Sequence, residues 1–182
     1  MPGAASSDAQ PGPSRCTAGR AGLGILVETQ DAVRVAGELA RRPLSRMYVG
    51  LNDLRIDRRA TCLFTPMVDG TVERVRAHAG AIPFGVAGLT LPGRGTPVPS
   101  RLLAAELARV QASFTFLRRS FLADTAGRPL APAVAEIGRH LAELRFRTPE
   151  QVLADRGELA GCVHRWGQVA SAPSRCEVAP QP

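Results

Sequence analysis

A chain of 182 residues, 45% of them apolar, is long enough for one globular domain with its own core. Its formal charge of +7 comes from arginine alone, scattered except for the pairs Arg41-Arg42, Arg58-Arg59 and Arg118-Arg119, and only 4% of residues are aromatic, so neither the basic stripe nor the stacking platform of a nucleic-acid binder is present. No run approaches the ~18 apolar residues of a membrane span, no charged and apolar leader opens the chain, and Cys16, Cys62, Cys162 and Cys176 form no zinc-type spacing, so reduced thiols, a cytoplasmic location and no membrane partner are expected.

Residues 1–21 are rich in Pro, Gly, Ala and Ser without an apolar period and are expected to be disordered. The run Gly24-Ile-Leu-Val-Glu28-Thr29 predicts a strand over Leu23–Glu28. Gln30 to Arg42 places Ala32, Val33, Val35, Ala36, Leu39 and Ala40 on one helical stripe, which Pro43 stops. Arg46–Leu51 reads as the second strand, and residues 54–68 as a loop with at most one helical turn. Asp69-Gly70-Thr71 starts a helix that continues through Val72 to Ala79. Ile82–Thr90 is the third expected strand, its small residues allowing close approach. Residues 91–98 form a Gly/Pro loop, and Pro99 and Ser100 introduce an amphipathic helix carrying Leu102, Leu103, Leu107 and Val110. Ser113–Phe121 is expected as a fourth strand ending in Arg118, Arg119 and Ser120. Two helices over 131–144 and 149–165 close a single domain at 22–166, with a disordered tail over 167–182.

Strands that alternate with helices argue for an α/β fold with a parallel sheet. Four strands are half of a TIM barrel, so a partial barrel of about four βα units on an open sheet is expected. Glu28 and Asp53 each end a β-rich run. In such sheets chemistry sits at the carboxyl ends of strands, and two carboxylates converging there suit a divalent metal with oxygen ligands. Each also has a structural explanation: a helix N-terminal carboxylate for Glu28, an Asx turn for Asp53. Arg118 and Arg119 could bind an anionic substrate, but pairing with Glu28 or Asp53 is the favoured expectation. Gly93-Arg94-Gly95 lacks the G-K-[ST] of a phosphate loop. His78, His140 and His164 lie on expected helices and read as surface histidines.

The segments ILVETQDAV, YVGLNDL, PFGVAGLT and FLRRSF, over about residues 23–123, resemble the later strands of the HpcH/HpaI aldolase and citrate lyase family. These are metal-dependent TIM barrels that bind phosphoenolpyruvate or pyruvate. The resemblance implies that Glu28, in an E-[TS] motif, and Asp53, in a G-x-x-D-L motif, are ligands of Mg²⁺ or Mn²⁺. It implies that Gly50 and Asn52 floor the pocket and offer backbone donors to a substrate carboxylate. The implied activity is a carbon–carbon lyase of the pyruvate-aldolase type acting on a 2-keto acid or an acyl-CoA-like molecule. The chain has no lysine, so a Schiff-base aldolase is not expected. The family's first four strands, with their substrate arginine and acid–base groups, have no counterpart, so no catalytic residue is assigned. The expected partners are therefore also a second copy or a complementary half-barrel, and the alternative is a non-catalytic half-barrel module whose exposed edges invite pairing.

Overall fold

A computed structural model describes residues 21–171, so the expected disorder over 1–20 and 172–182 lies outside the described residues. Four parallel strands pair in sequence order: β1 (Gly24–Val27), β2 (Arg46–Val49), β3 (Phe84–Leu89) and β4 (Phe114–Leu117). β1 and β4 are the edges, and each strand is followed by helix. The arrangement is an α/β partial barrel with an open sheet, as expected.

The residue alternation of the strands explains which face is covered. Val27, Met47, Val49, Phe84 and Val86 are fully buried and lie in register across β1–β3. Helices cover that face. Burying each such side chain contributes roughly 1.5–3 kcal/mol. The opposite face carries Leu26, Tyr48, Phe114 and Phe116, and among the described residues nothing covers it fully: Leu26 is 58% exposed and Phe116 52%.

Four expected boundaries are corrected. The stripe after β1 is two short helices, α1 (Gln30–Arg34) and α2 (Ala36–Ala40), interrupted at Val35. Thr29 caps α1, its Oγ1 accepting from Ala32 N–H at 3.1 Å. The second strand stops at Val49, because the chain turns at Gly50 into α3 (Leu51–Asp57), which buries Leu51 and Leu54. Asp53 therefore sits in the first turn of a helix rather than at the end of a strand. The fourth strand likewise ends at Leu117, and Phe121 starts α6 (Phe121–Asp124) as a buried helical anchor.

The final helix corrects the tail. α8 (Pro149–Ser171) runs through 167–171, which were expected to be disordered. It opens on a capping box: Thr148 Oγ1 accepts from Gln151 N–H at 3.3 Å, and Gln151 Oε1 accepts from Thr148 N–H at 2.9 Å. The remaining helices are α4 (Thr71–Ala79), α5 (Ser100–Arg109) and α7 (Leu130–Glu143), as expected within one residue. Asp69 Oδ1 accepts from Thr71 N–H at 2.9 Å at the start of α4.

Arginines stitch the helical layer. Glu73 on α4 accepts from Arg109 on α5 and from Arg156 on α8, both at 2.6 Å. Arg109 also binds Glu106, whose side chain is only 2% exposed. Arg147 joins Asp155 at 2.5 Å and donates to Ala105 O at 2.8 Å. Among the described residues, no helix is long and apolar enough to cross a membrane.

Candidate functional site

At the carboxyl ends of the strands the uncovered face opens into a cleft of about 350 Å³. Glu28, Gly50, Asn52, Asp53, Arg118 and Arg119 all line it. The two carboxylates reach it differently. Val27 faces the helices, so Glu28, one residue on, turns to the open side of the sheet. Asp53 comes from the first turn of α3. Neither carboxylate makes a hydrogen bond or ion pair among the described residues, unlike Asp57, which accepts from Gln30 N–H at 2.7 Å.

Gly50 works by what it lacks. A Cβ there would lie 3.0 Å from both Cβ and Oε2 of Glu28, so the absent side chain is the space that Glu28 occupies. The N–H of Gly50 donates to Val27 O at 3.0 Å. Asn52 is exposed at the cleft rim.

The expected pairing of Arg118 or Arg119 with Glu28 or Asp53 does not form. Arg118 lies over the Phe64 ring, 5.5 Å from its centroid, and its Nη1 is buried without a hydrogen-bond partner among the described residues. Desolvation lowers the pKa of Arg118, with Asp124 opposing that shift. Asp124 itself is engaged elsewhere: Thr90 Oγ1 donates to it at 2.6 Å and Ser120 Oγ at 2.9 Å, and these bonds hold its carboxyl below the usual range. Arg119 makes no ion pair or hydrogen bond among the described residues.

Several cleft residues were missed in the sequence. Tyr48 and Leu26 lie two residues before Gly50 and Glu28 on the same face, a signal that strand alternation carries. Tyr48 packs against Phe114 and Phe116, with ring centroids 5.9 Å and 4.7 Å away. Its hydroxyl donates to Ala87 O at 2.7 Å, and burial pushes its pKa up to about 12. That carbonyl also accepts from Thr115 Oγ1 at 2.9 Å. Ala87 sits at φ 57° where the β3–β4 register slips between Gly85 and Gly88. Non-glycine residues enter this left-handed region at a cost of about 1–2 kcal/mol, which the two hydroxyl donors help offset. Phe64 comes from the α3–α4 connection, where no period announced it.

The donor set limits what could bind. Among the described residues, no group of three or more His, Cys, Asp or Glu is placed to hold a metal ion. Two carboxylates without protein partners remain, a set that suits Mg²⁺, which keeps several waters and is commonly bound through one or two carboxylates. The three histidines are all on helices and none lines the cleft: His78 and His164 are exposed, and His140 is half-buried on α7. Gly93-Arg94-Gly95 is loop. Cys62 and Cys162 are free thiols, while Cys16 and Cys176 lie outside the described residues. In comparisons with family models, curated proteins and solved structures, nothing matches this chain.

Proposed function

We propose that the cleft is a divalent-metal site for carbon–carbon lyase chemistry on a 2-keto acid or related substrate, as the resemblance to the HpcH/HpaI aldolase and citrate lyase family implies. One observation carries the reading: Glu28 and Asp53, brought from different elements to one cleft at the strand ends, have no protein partner there. Glu28 and Asp53 would hold Mg²⁺ or Mn²⁺, and the bound ion would supply Lewis acidity to the oxygens of a keto acid. Gly50 keeps Glu28 against the sheet. Tyr48 and Phe116 give the cleft an apolar wall. Arg118 and Arg119 would supply positive charge for an anionic substrate or acyl-CoA-like molecule, and the exposed Arg119 at the cleft, without a partner among the described residues, supports that use.

The test is thermal unfolding with and without Mg²⁺ or Mn²⁺. At a hundredfold excess over Kd, binding stabilises by about 2.7 kcal/mol, so the midpoint should rise several degrees. Glu28→Gln and Asp53→Asn should each abolish the rise. A midpoint indifferent to metal, or a rise that both variants keep, overturns the reading. Pyruvate release from a panel of 2-keto-3-deoxy acids then tests the chemistry.

A second reading, a half-barrel that serves as a pairing module, is favoured by the exposed apolar face around Leu26 and Phe116.

A further inference from the structure

We infer that two copies of this chain close into one eight-stranded parallel ring, with the cleft of each copy completed at a shared mouth. This deepens the second reading and does not depend on the metal reading.

The first argument is topological. The sheet has two free edges, β1 and β4, and every strand runs the same way. A two-fold axis along the ring would set β4 of each copy beside β1 of the other. Both edges of both sheets would then be paired, and the strand count would be that of a closed parallel barrel whose interior is filled by side chains. An open edge leaves N–H and C=O groups without ladder partners, and closure is the one arrangement that removes edges altogether. Isologous pairing of this kind stops at two copies.

The second argument is the face itself. In a barrel, the side away from the helices is a packed core. Here that side carries Leu26, Tyr48, Phe114 and Phe116, with Leu26 and Phe116 more than half exposed. The helical layer is unfinished on the same flank: α7, which follows β4, exposes Leu130 at 51% and Val134 at 46%, one turn apart. A second copy covers both layers at once, whereas a peptide laid along one edge covers only one.

The third argument is charge. Glu28 directly follows edge strand β1, and Arg118 and Arg119 directly follow edge strand β4. Among the described residues Glu28 and Arg119 have no ionic partner and Arg118 leaves Nη1 unbonded. Closing the ring sets a positive strand end beside a negative one at both seams. It also walls the cleft on its β1 side, which a single copy leaves open.

The test is the mass in solution of the full 182-residue chain, by light scattering on a sizing column in EDTA, so that a failed metal titration and a failed pairing are separate results. The expected mass is twice 19.3 kDa. Phe116→Arg and Leu26→Arg should each raise the dimer dissociation constant at least tenfold. Leu153→Arg, on the outer helix α8, should leave it unchanged. If the arginine variants do not fold, amide exchange on the natural chain replaces them, and β1 and β4 should gain protection as concentration rises. A monomer overturns the inference, as does an open series of larger species. A monomer that dimerises once residues 1–20 are removed assigns the face to the chain's own leading segment and also overturns it. So does a dimer split by Leu153→Arg but not by Phe116→Arg, or edge protection that ignores concentration.

Discussion

The two faces of one sheet are built by different rules. On the helical side, Val27, Met47, Val49, Phe84 and Val86 are sealed at 0% exposure, and arginine–carboxylate bonds tie the covering helices together. On the other side, aromatic rings pack on one another while Leu26 and Phe116 stay more than half exposed. The same strands feed both sides, with single residues alternating between them. Strand residues therefore do not determine burial by being apolar. What lies across from them does, and on this side nothing among the described residues does.

Five substitutions test that contrast. The largest effect belongs to the sealed side. Phe84→Ala should cost about 3–5 kcal/mol in urea unfolding, whereas Leu26→Ala in dilute protein should cost less than about 1 kcal/mol. Equal costs at low concentration would erase the distinction between the faces, and a Leu26→Ala cost that grows with concentration would sharpen it toward pairing.

Next comes the polar part of the helical layer. Glu106→Ala strips Arg109 of a nearly buried partner and should cost about 2 kcal/mol. Its counterpart on the open side is Arg46, which lies 5.9 Å from the centre of the Phe114 ring. Arg46→Ala should cost no more than about 0.5–1 kcal/mol. Thermal melts at low and moderate salt read both.

A further effect, small at neutral pH, is on Tyr48. Its folded pKa is raised from 10.0 to about 12 by burial. The protonated phenol is the form the fold favours, so its contribution is fully present below pH 10 and lost as pH climbs through 12. Tyr48→Phe should flatten stability across that alkaline window, and removing the bond to Ala87 O should cost about 1 kcal/mol at neutral pH. Unfolding free energies at several alkaline pH values read the difference.

Much of the scaffold was legible because its signals were periodic. Ala36 and Val33 fell on a helical stripe, Leu102 and Leu107 on another, and the strand runs stood out as apolar. What misled was continuity. Met47 to Leu51 reads as one apolar run, yet Leu51 belongs to a helix, because the chain turns at Gly50. The stripe over Ala32–Ala40 hid the break at Val35 in the same way, and beyond it Gly37 comes close to His78 of α4. The capping residues around α8 were present in Thr148 and Gln151, but low apolar content past Gly167 concealed how far that helix runs. Of the candidate site, Glu28 and Asp53 were found from their positions beside apolar runs and do share a cleft. The aromatic wall was missed because Tyr48, Phe64 and Phe116 meet only through the fold. The free Nη1 of Arg118 is a property of three-dimensional packing that no spacing encodes.

Tyr48 is the chain's sole tyrosine. Its near-ultraviolet absorbance on ionisation is therefore a single-site optical signal, seated in the wall of the cleft and reporting without any label. Whatever settles over that wall deepens the ring's desolvation and drives the spectral transition further toward alkali. One titration curve, followed through dilution or ligand addition, would thus read the state of the sheet's unfinished side directly.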